Sequence, residues 1–532
     1  MLFAFLCNYQ YAQVGMPSQI DPRKELENQN KLIMAYRSIV ALYVDQTDNS
    51  QLLEDAIKGM LEKLDPHSTY TNAEETRKMN EPLEANFDGI GIQFDMLADT
   101  LYIIEVIQGG PSEKVGLMAG DRIIMVDDTL IAGVKMENSD IIKHIRGKKG
   151  TEVRIKVKRA PFPDLLEFRI IRDRIPIFSL NASYMADKNT GYMRLSRFSA
   201  STLDEFNTAL TKLKKEGMKN LILDLQGNGG GYLEKAIQLS DEFLDKDKLI
   251  VYTLGNKHPR KDVMATQNGQ FEKGKLIILV DESSASASEI VSGAIQDWDR
   301  GVIIGRRTFG KGLVQQAILM PDSSMIRLTI ARYFTPSGRF IQKPYEFGKT
   351  EAYRMDLMDR YQKGELMSKD SIHFPDSLKH FTLLSHRTVY GGGGIMPDVF
   401  IPLDSTRNTE YHFNLIRYNI LNKMSMTYLD NNRTELNKKY GKLNTYKEKF
   451  IVTEEMLQEL IKMADEEKIE FKEEQFNQSK ELISLQLKAL IARDLYEAGA
   501  YYYIINERND TFQEALRIIN DDTQYNAILS SR

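Results

Sequence analysis

Between residues 186 and 345 the chain alternates short apolar runs with amphipathic stretches: TGYMRL, TLDEFNTALTKLKKEG, KNLILDLQG, YLEKAIQLSDEFL, KLIILVDE, ASEIVSGAIQDW and GVIIG, then long β-like runs ending in ARYFTP. Strand-length apolar runs alternating with helical periodicity are what a helix-covered sheet requires, so this region must build an α/β layered core.

The flanks read differently. From Asp21 to Leu64 apolar residues recur at helical spacing in LIMAYRSIVALYV and LLEDAIKGMLEKL, and Asp65 and Pro66 stop the pattern at LDPHSTY. His67, in that turn, reads as a structural residue. Residues 86–175 hold five β-like runs, GIGIQF, LYIIEVI, RIIMVDD, EVRIKVKR and EFRIIR, and one short helical pattern, NSDIIKHI. They predict a small, mostly β module. The expected organisation is a helical N-terminal region at 19–80, the β module at 84–175, the core at 186–403 and a helical domain at 406–532. A polar, partly helical insertion at 346–392 interrupts the core. The last segment carries its charges opposite its apolar stripes, as a solvated helical bundle does.

Composition excludes several functions. The formal charge of -5 comes from 70 basic and 75 acidic residues mixed along the chain, which leaves no basic stripe for nucleic acid. Cys7 is the single cysteine, so neither an intramolecular disulfide nor a cysteine-rich metal site can form. It lies in MLFAFLCNYQYAQVG, where residues 1–15 read as the remnant of a secretory signal peptide. The basic n-region is missing and the apolar stretch is too short to span a bilayer, both of which a mis-assigned start codon explains. The expected location is the periplasm or cell envelope.

Two segments of the core carry chemistry. In LILDLQGNGGGYLEKA a strand runs into a glycine cluster and then a helix, which aims free N–H groups at an anion. The phosphate-loop Lys-Ser/Thr pair is absent and the dinucleotide glycine spacing is unmet, so an oxyanion hole fits better than a nucleotide site. In the second segment KLIILV delivers DESSASAS to the start of EIVSGAIQDW. Serine is a preferred N-cap, but capping needs only one. Capping also leaves Lys311 unexplained. That lysine stands between two glycines in GRRTFGKGLVQQ, beside Phe309, Leu313 and Val314 and with no acid close in sequence. A poorly solvated, unpaired ammonium has a lowered pKa and can act as a base, the lysine half of a Ser-Lys nucleophilic pair.

SASASEIVSGAIQDWDRGVIIGRRTFGKGLVQQ resembles the active-site stretch of the carboxy-terminal processing (tail-specific) proteases. That resemblance implies a ClpP/crotonase-like core with Ser286 as nucleophile, Lys311 as base and Gln315 as the residue that orients the lysine. Ser284 and Ser288 then revert to capping or packing, and Asp297 to structural support. If KGLVQ is extended, positions 311, 313 and 315 share a face. LDPHSTY, GYMRL, ARYFTPSGRFIQ and GGIMPD are further family marks. The chain departs from the family in DLQGNGGG, which stands for the usual DLRNNPGG. Gly230 and Gly231 survive there, and the N–H groups of Gly230 and Ala287 are the expected oxyanion donors. The β module is similar to a PDZ domain in FDGIGIQF and GGPSEKVGLMAGDRIIMVDD. GIGI alone fits a plain hairpin equally well; with the second stretch in register, Gly89, Ile90, Gly91 and Ile92 are implied to bind a substrate's C-terminal carboxylate.

The reading is a serine endopeptidase that recognises proteins or peptides with apolar C-termini and cleaves them with a Ser-Lys dyad. No metal or other cofactor is expected. A homodimer supported by the terminal helices and an envelope adaptor protein are the expected partners. The alternative is a catalytically inactive PDZ adaptor, favoured by the altered glycine loop. An acyl-CoA enzyme of the crotonase type shares the core but leaves the PDZ segment and the Ser286–Lys311 pair without a purpose.

Overall fold

The computed structural model describes residues 21–530 apart from 98, 108, 160, 161, 267 and 268. The signal-like segment and Cys7 lie outside the described residues.

A six-stranded sheet organises the core, in the order Leu180–Met185, Thr190–Leu195, Asn220–Asp224, Leu276–Val280, Val302–Gly305 and Val399–Phe400. The first pair is antiparallel and the others are parallel. Every residue of Leu276–Val280 is buried, as an unbroken apolar run requires of a strand covered on both faces. One face meets the helices Thr202–Lys215, Leu233–Asp241 and Ala287–Asp297, where Phe206, Leu210, Leu239 and Val291 pack with Leu221, Leu223 and Ile278.

The other face meets the end of the chain. Phe512, Ala515, Ile518 and Ile519, on the helix Asp510–Ile519, pack with Tyr192, Ile222, Ile277 and Ile304. This revises the expected boundaries at both ends: the core sheet starts at Leu180, and part of 406–532 belongs to the core. The reason is geometric. Successive strand residues point to opposite faces, so Ile222 and Leu223 need separate covers, and the helices within 186–403 supply only one.

A second sheet is built around the long strand Met325–Phe334. It pairs antiparallel with Leu313–Leu319 and with Thr69–Thr71, and its far end pairs with Leu249–Leu254. Leu313–Leu319 and Met325–Phe334 thus form a hairpin that continues directly from Lys311.

The β module contains its five expected strands at Ile92–Leu97, Thr100–Val106, Arg122–Val126, Glu152–Lys158 and Leu166–Ile171, with the helix at Asn138–Ile145. Leu101, Ile123, Val153, Ile155 and Ile141 form its core. Its other face rests on the helices that follow the core. Tyr102 and Ile104 pack on Met426, Arg122 ion-pairs with Asp430, and Asn419 Nδ2 donates to Asp95 Oδ2 at 2.9 Å. At the opposite end, the helix Pro22–Leu42 buries no residue and leaves Leu32, Ile33, Met34 and Leu42 exposed.

Candidate active site

The strand Leu276–Val280 ends in a turn that enters the helix Ala287–Asp297. The serines of that turn divide by what their hydroxyls do. Ser284 is buried; its Oγ donates to the Leu225 carbonyl at 2.8 Å and accepts the Asp281 N–H at 2.9 Å. Ser288 Oγ donates to the Asn228 carbonyl at 2.8 Å. Both therefore tie the serine turn to the glycine loop 225–231. Ser286 stands between them with φ +56° and ψ −110°, a backbone conformation that non-glycine residues adopt only when the surroundings impose it.

Glu289 imposes it. This carboxylate is fully buried on the first turn of the helix, and four groups donate to it. Oε1 accepts the Thr308 hydroxyl at 2.6 Å and the Gly310 N–H at 2.7 Å. Oε2 accepts the Ser286 N–H at 2.8 Å and the Lys311 N–H at 2.9 Å. Burial pushes the carboxyl up to about 7 even though all four donors pull it down. On the carbonyl side, the buried Tyr333 hydroxyl lies against the main-chain oxygens of both Ser286, at 3.2 Å, and Lys311. One acid and one phenol thus fasten the serine turn to the lysine loop through main-chain atoms.

The Lys311 amine has no ion-pair or hydrogen-bond partner among the described residues. Burial lowers its pKa first and the charge of Arg327 second, while the carboxylates of Glu289 and Asp65 pull it back up. Ser286 Oγ and Lys311 Nζ are not hydrogen-bonded to each other. The structure brings the two residues together at the backbone and leaves their side chains unjoined.

Gln315 departs from expectation. The lysine loop is irregular as far as Gly312, and the strand that begins at Leu313 carries a register shift between Val314 and Gln315. Such a bulge breaks the two-residue alternation on which a shared face with Lys311 depended. Gln315 Nε2 points instead to Thr329 Oγ1, at 3.4 Å.

The two expected oxyanion donors are not equivalent. The Ala287 N–H, at the start of the helix, has no acceptor among the described residues. The Gly230 N–H donates to Asn228 Oδ1 at 2.9 Å, so it is not free as the loop stands. The Asn228 side chain folds back beneath the glycines, its Nδ2 on the Leu195 carbonyl at 2.9 Å. Gly230 is nevertheless pressed against the serine. With φ +102°, a Cβ there would lie 2.9 Å from both the Ala285 oxygen and Ser286 Cβ.

Further out, Asp297 forms a fully buried ion pair with Arg339 and accepts the Ser337 N–H at 2.8 Å, a structural brace. In the β module Gly89, Ile90, Gly91 and Ile92 line one end of a cavity of about 130 Å³, closed by Phe94, Ile142 and Ile145.

Sequence reading missed several neighbours of the site. Glu289 was legible as a Ser-x-x-Glu capping box starting at Ser286. His67, read as a bystander, lies within Coulomb range of Lys311, whose charge together with burial holds the imidazole down at about 4. Its Nε2 is 2.8 Å from the Tyr353 hydroxyl. Tyr353 lies on the helix Thr350–Gln362 of the insertion and also meets Phe309 edge-on with ring centres 6.0 Å apart. Nothing in the insertion's sequence points to that contact.

A serine tied through its backbone to the loop of a buried, unpaired lysine, on a helix-covered sheet with a peptide-groove module attached, fits the class of PDZ-bearing serine peptidases. Similarity agrees. The model for peptidase family S41 matches residues 189–348 and that for the PDZ domain 89–167. The N-terminal domain of the activating protease CtpB matches 8–76, and a family of unknown function matches 411–497. The carboxy-terminal processing protease CtpA of Bacillus subtilis is 37% identical over 59% of this chain and 66% of its own length. CtpB of the same organism is 32% identical over 70% of this chain and 78% of its own. The solved photosystem II D1 C-terminal processing protease is 27% identical over 59% of this chain and 89% of its own, with a TM-score of 0.33. The chain belongs to the carboxy-terminal processing proteases, serine peptidases of family S41.

Proposed function

We propose that this protease cuts near the C-terminus of its substrate with a dyad of Ser286 and Lys311. The observation that carries the reading is the shared attachment of both main-chain N–H groups to Glu289 Oε2. Neutral Lys311 takes the Ser286 proton as Oγ attacks the scissile carbonyl, and returns it to the leaving amine. Water then hydrolyses the acyl-enzyme by the reverse proton path. The free Ala287 N–H holds the oxyanion. Gly230 joins it once its N–H leaves Asn228, and Gln315 reaches the amine only if its side chain leaves Thr329. The substrate's apolar C-terminus adds as a strand beside Ile92–Leu97, its carboxylate on the N–H groups of the Gly89–Ile92 loop.

The exposed apolar residues of Pro22–Leu42 support self-association through that helix. The signal-like segment supports work in the cell envelope. No helix among the described residues is long and apolar enough to cross a membrane.

A second reading, a PDZ adaptor with a silent core, is favoured by the engaged Gly230 N–H and the unjoined side chains. One experiment separates the two: a peptide with an apolar C-terminus is incubated with wild type and with Ser286→Ala, and product ends are read by mass spectrometry. Cleavage by the wild type alone establishes the protease reading. Binding without cleavage by either establishes the adaptor.

A further inference from the structure

The turn Asp65-Pro66-His67-Ser68 joins the N-terminal helices to the strand Thr69–Thr71, and its carboxylate does more than close a turn. Asp65 is 8% exposed. Its Oδ1 accepts the N–H groups of His67 and Ser68 at 2.9 and 3.1 Å, and that much is an ordinary Asx turn. The turn needs nothing else, yet Oδ1 also accepts the Thr329 hydroxyl at 2.9 Å, from the far strand of the lysine hairpin. Ser68 Oγ donates to Oδ2 at 2.6 Å and accepts the Thr329 N–H at 3.1 Å. Thr329 Oγ1 in turn receives the Gln315 amide at 3.4 Å. The turn reaches the lysine loop by a second route, through His67, Tyr353 and Phe309.

The charged groups facing Lys311 come from several elements: Arg327 from the hairpin, Glu289 from the serine helix, and Asp65 with His67 from this turn. Lys343 acts on the same cluster through His67 and stands 4.1 Å from the Phe309 and Tyr353 ring centres. The phenols at hand are Tyr333 and Tyr353, with Tyr345 within range of the Asp65 charge. When Lys311 takes the serine proton it becomes a buried ammonium and needs a counter-charge. Glu289 is saturated with donors and, with its carboxyl near 7, carries a reduced charge at neutrality. That leaves one other carboxylate within range.

We propose that Asp65 is a positioning residue for the catalytic lysine: through Thr329 it holds the hairpin that continues from Lys311, and it supplies the negative charge that stabilises the ammonium formed during acylation. The proposal rests on Lys311 being the base. It assigns a role to the turn before the first strand, far in sequence from both members of the dyad.

The test is Asp65→Asn in the full-length protein, which keeps size and one acceptor oxygen while removing the charge. We expect kcat to fall about tenfold with KM little changed. The acid limb of kcat/KM should move to lower pH, because the lost carboxylate no longer favours the ammonium. Ser68→Ala, which loosens the same turn without changing charge, should lower the rate and leave the limb in place. An Asp65→Asn limb coincident with wild type overturns the proposal, whatever the rate. Lys311→Ala, run on the same peptide, keeps the two readings apart. If it cleaves like wild type, the dyad itself is wrong; if it is inactive while Asp65→Asn leaves the limb unmoved, only the role of Asp65 falls. Should Asp65→Asn fail to fold by circular dichroism, Thr329→Val removes the hydroxyl through which Asp65 holds the lysine hairpin. It should lower kcat about fivefold, and an unchanged kcat counts against the proposal.

Discussion

Ser286 and Lys311 donate their backbone N–H groups to a single atom, Oε2 of Glu289, at 2.8 and 2.9 Å. The proposed nucleophile and base, on different elements, are thereby held by one acceptor with fixed geometry, and side-chain motion can join or part them without moving either main chain. Because the acceptor is buried and fully used, it tolerates little change.

Glu289→Gln tests that arrangement. Glutamine offers one acceptor oxygen and turns an N–H₂ group toward donors that need an acceptor. We expect kcat to fall about 100-fold, since displacement of reacting groups by about 1 Å has costs of that size. Unpaired buried donors should also cost about 1–3 kcal/mol of stability. Single-turnover kinetics and thermal melts read both, and a variant with wild-type kcat would show that the shared carboxylate is not what aligns the pair.

Gly230→Ala should abolish cleavage while leaving peptide binding to the PDZ module intact. The added Cβ, at φ +102°, would press on the Ala285 oxygen and on Ser286 Cβ, each 2.9 Å away. Calorimetry with an apolar C-terminal peptide beside a cleavage assay separates the two effects. Retained cleavage would mean that the glycine loop moves away from the serine before the reaction.

Much of this molecule was legible before its coordinates. The strand and helix alternation of the core and all five strands of the β module follow from apolar periodicity, because burial on one or two faces writes itself into the residue pattern. What stayed hidden depends on partners distant in sequence. The stripe containing Phe512, Ile518 and Ile519 announces an apolar face but not that it covers Ile222 and Ile277. The bulge at Gln315 arises from pairing with Thr329 and has no local signature, so the alternation argument failed there. At the site, motif spacing singled out Ser286 and Lys311 as the proposed pair, whereas the contacts of Tyr353 with His67 and Phe309 depend on the insertion's docked position.

Lys311→Arg should be inactive although it keeps the charge and most of the length, because a guanidinium cannot give up its proton to become a base. For the wild type, the acid limb of kcat/KM should lie below the ordinary lysine range, as burial and Arg327 depress the amine. A limb at the value of a free lysine would remove the case for a neutral base.

His67 gives stability its own pH dependence. Its imidazole is held at about 4 in the fold against 6.5 when unfolded, chiefly by burial and then by Lys311. Between those values the unfolded chain binds the extra proton, so stability is present above 6.5 and lost as pH falls toward 4. The loss is on the order of 3 kcal/mol. Urea melts from pH 7 to pH 4 should show a shallower decline for His67→Gln than for wild type, and parallel declines would mean that other groups drive it.

The insertion should matter to catalysis although no reacting atom belongs to it. Arg360, on the helix Thr350–Gln362, is buried, and its guanidinium is brought down to about 10, by burial first and then by Arg307. It donates to the carbonyls of Arg307 at 2.7 Å and Thr308 at 3.2 Å, the residues that lead into the lysine loop. Those carbonyls have no strand partner among the described residues, so the loop's course toward Glu289 depends on this clamp. Arg360→Met keeps the aliphatic bulk and removes the donors. It should lower kcat about tenfold while leaving the affinity of the PDZ groove for peptide unchanged. Equal kcat in the two proteins would mean that Glu289 and Tyr333 suffice to place Lys311.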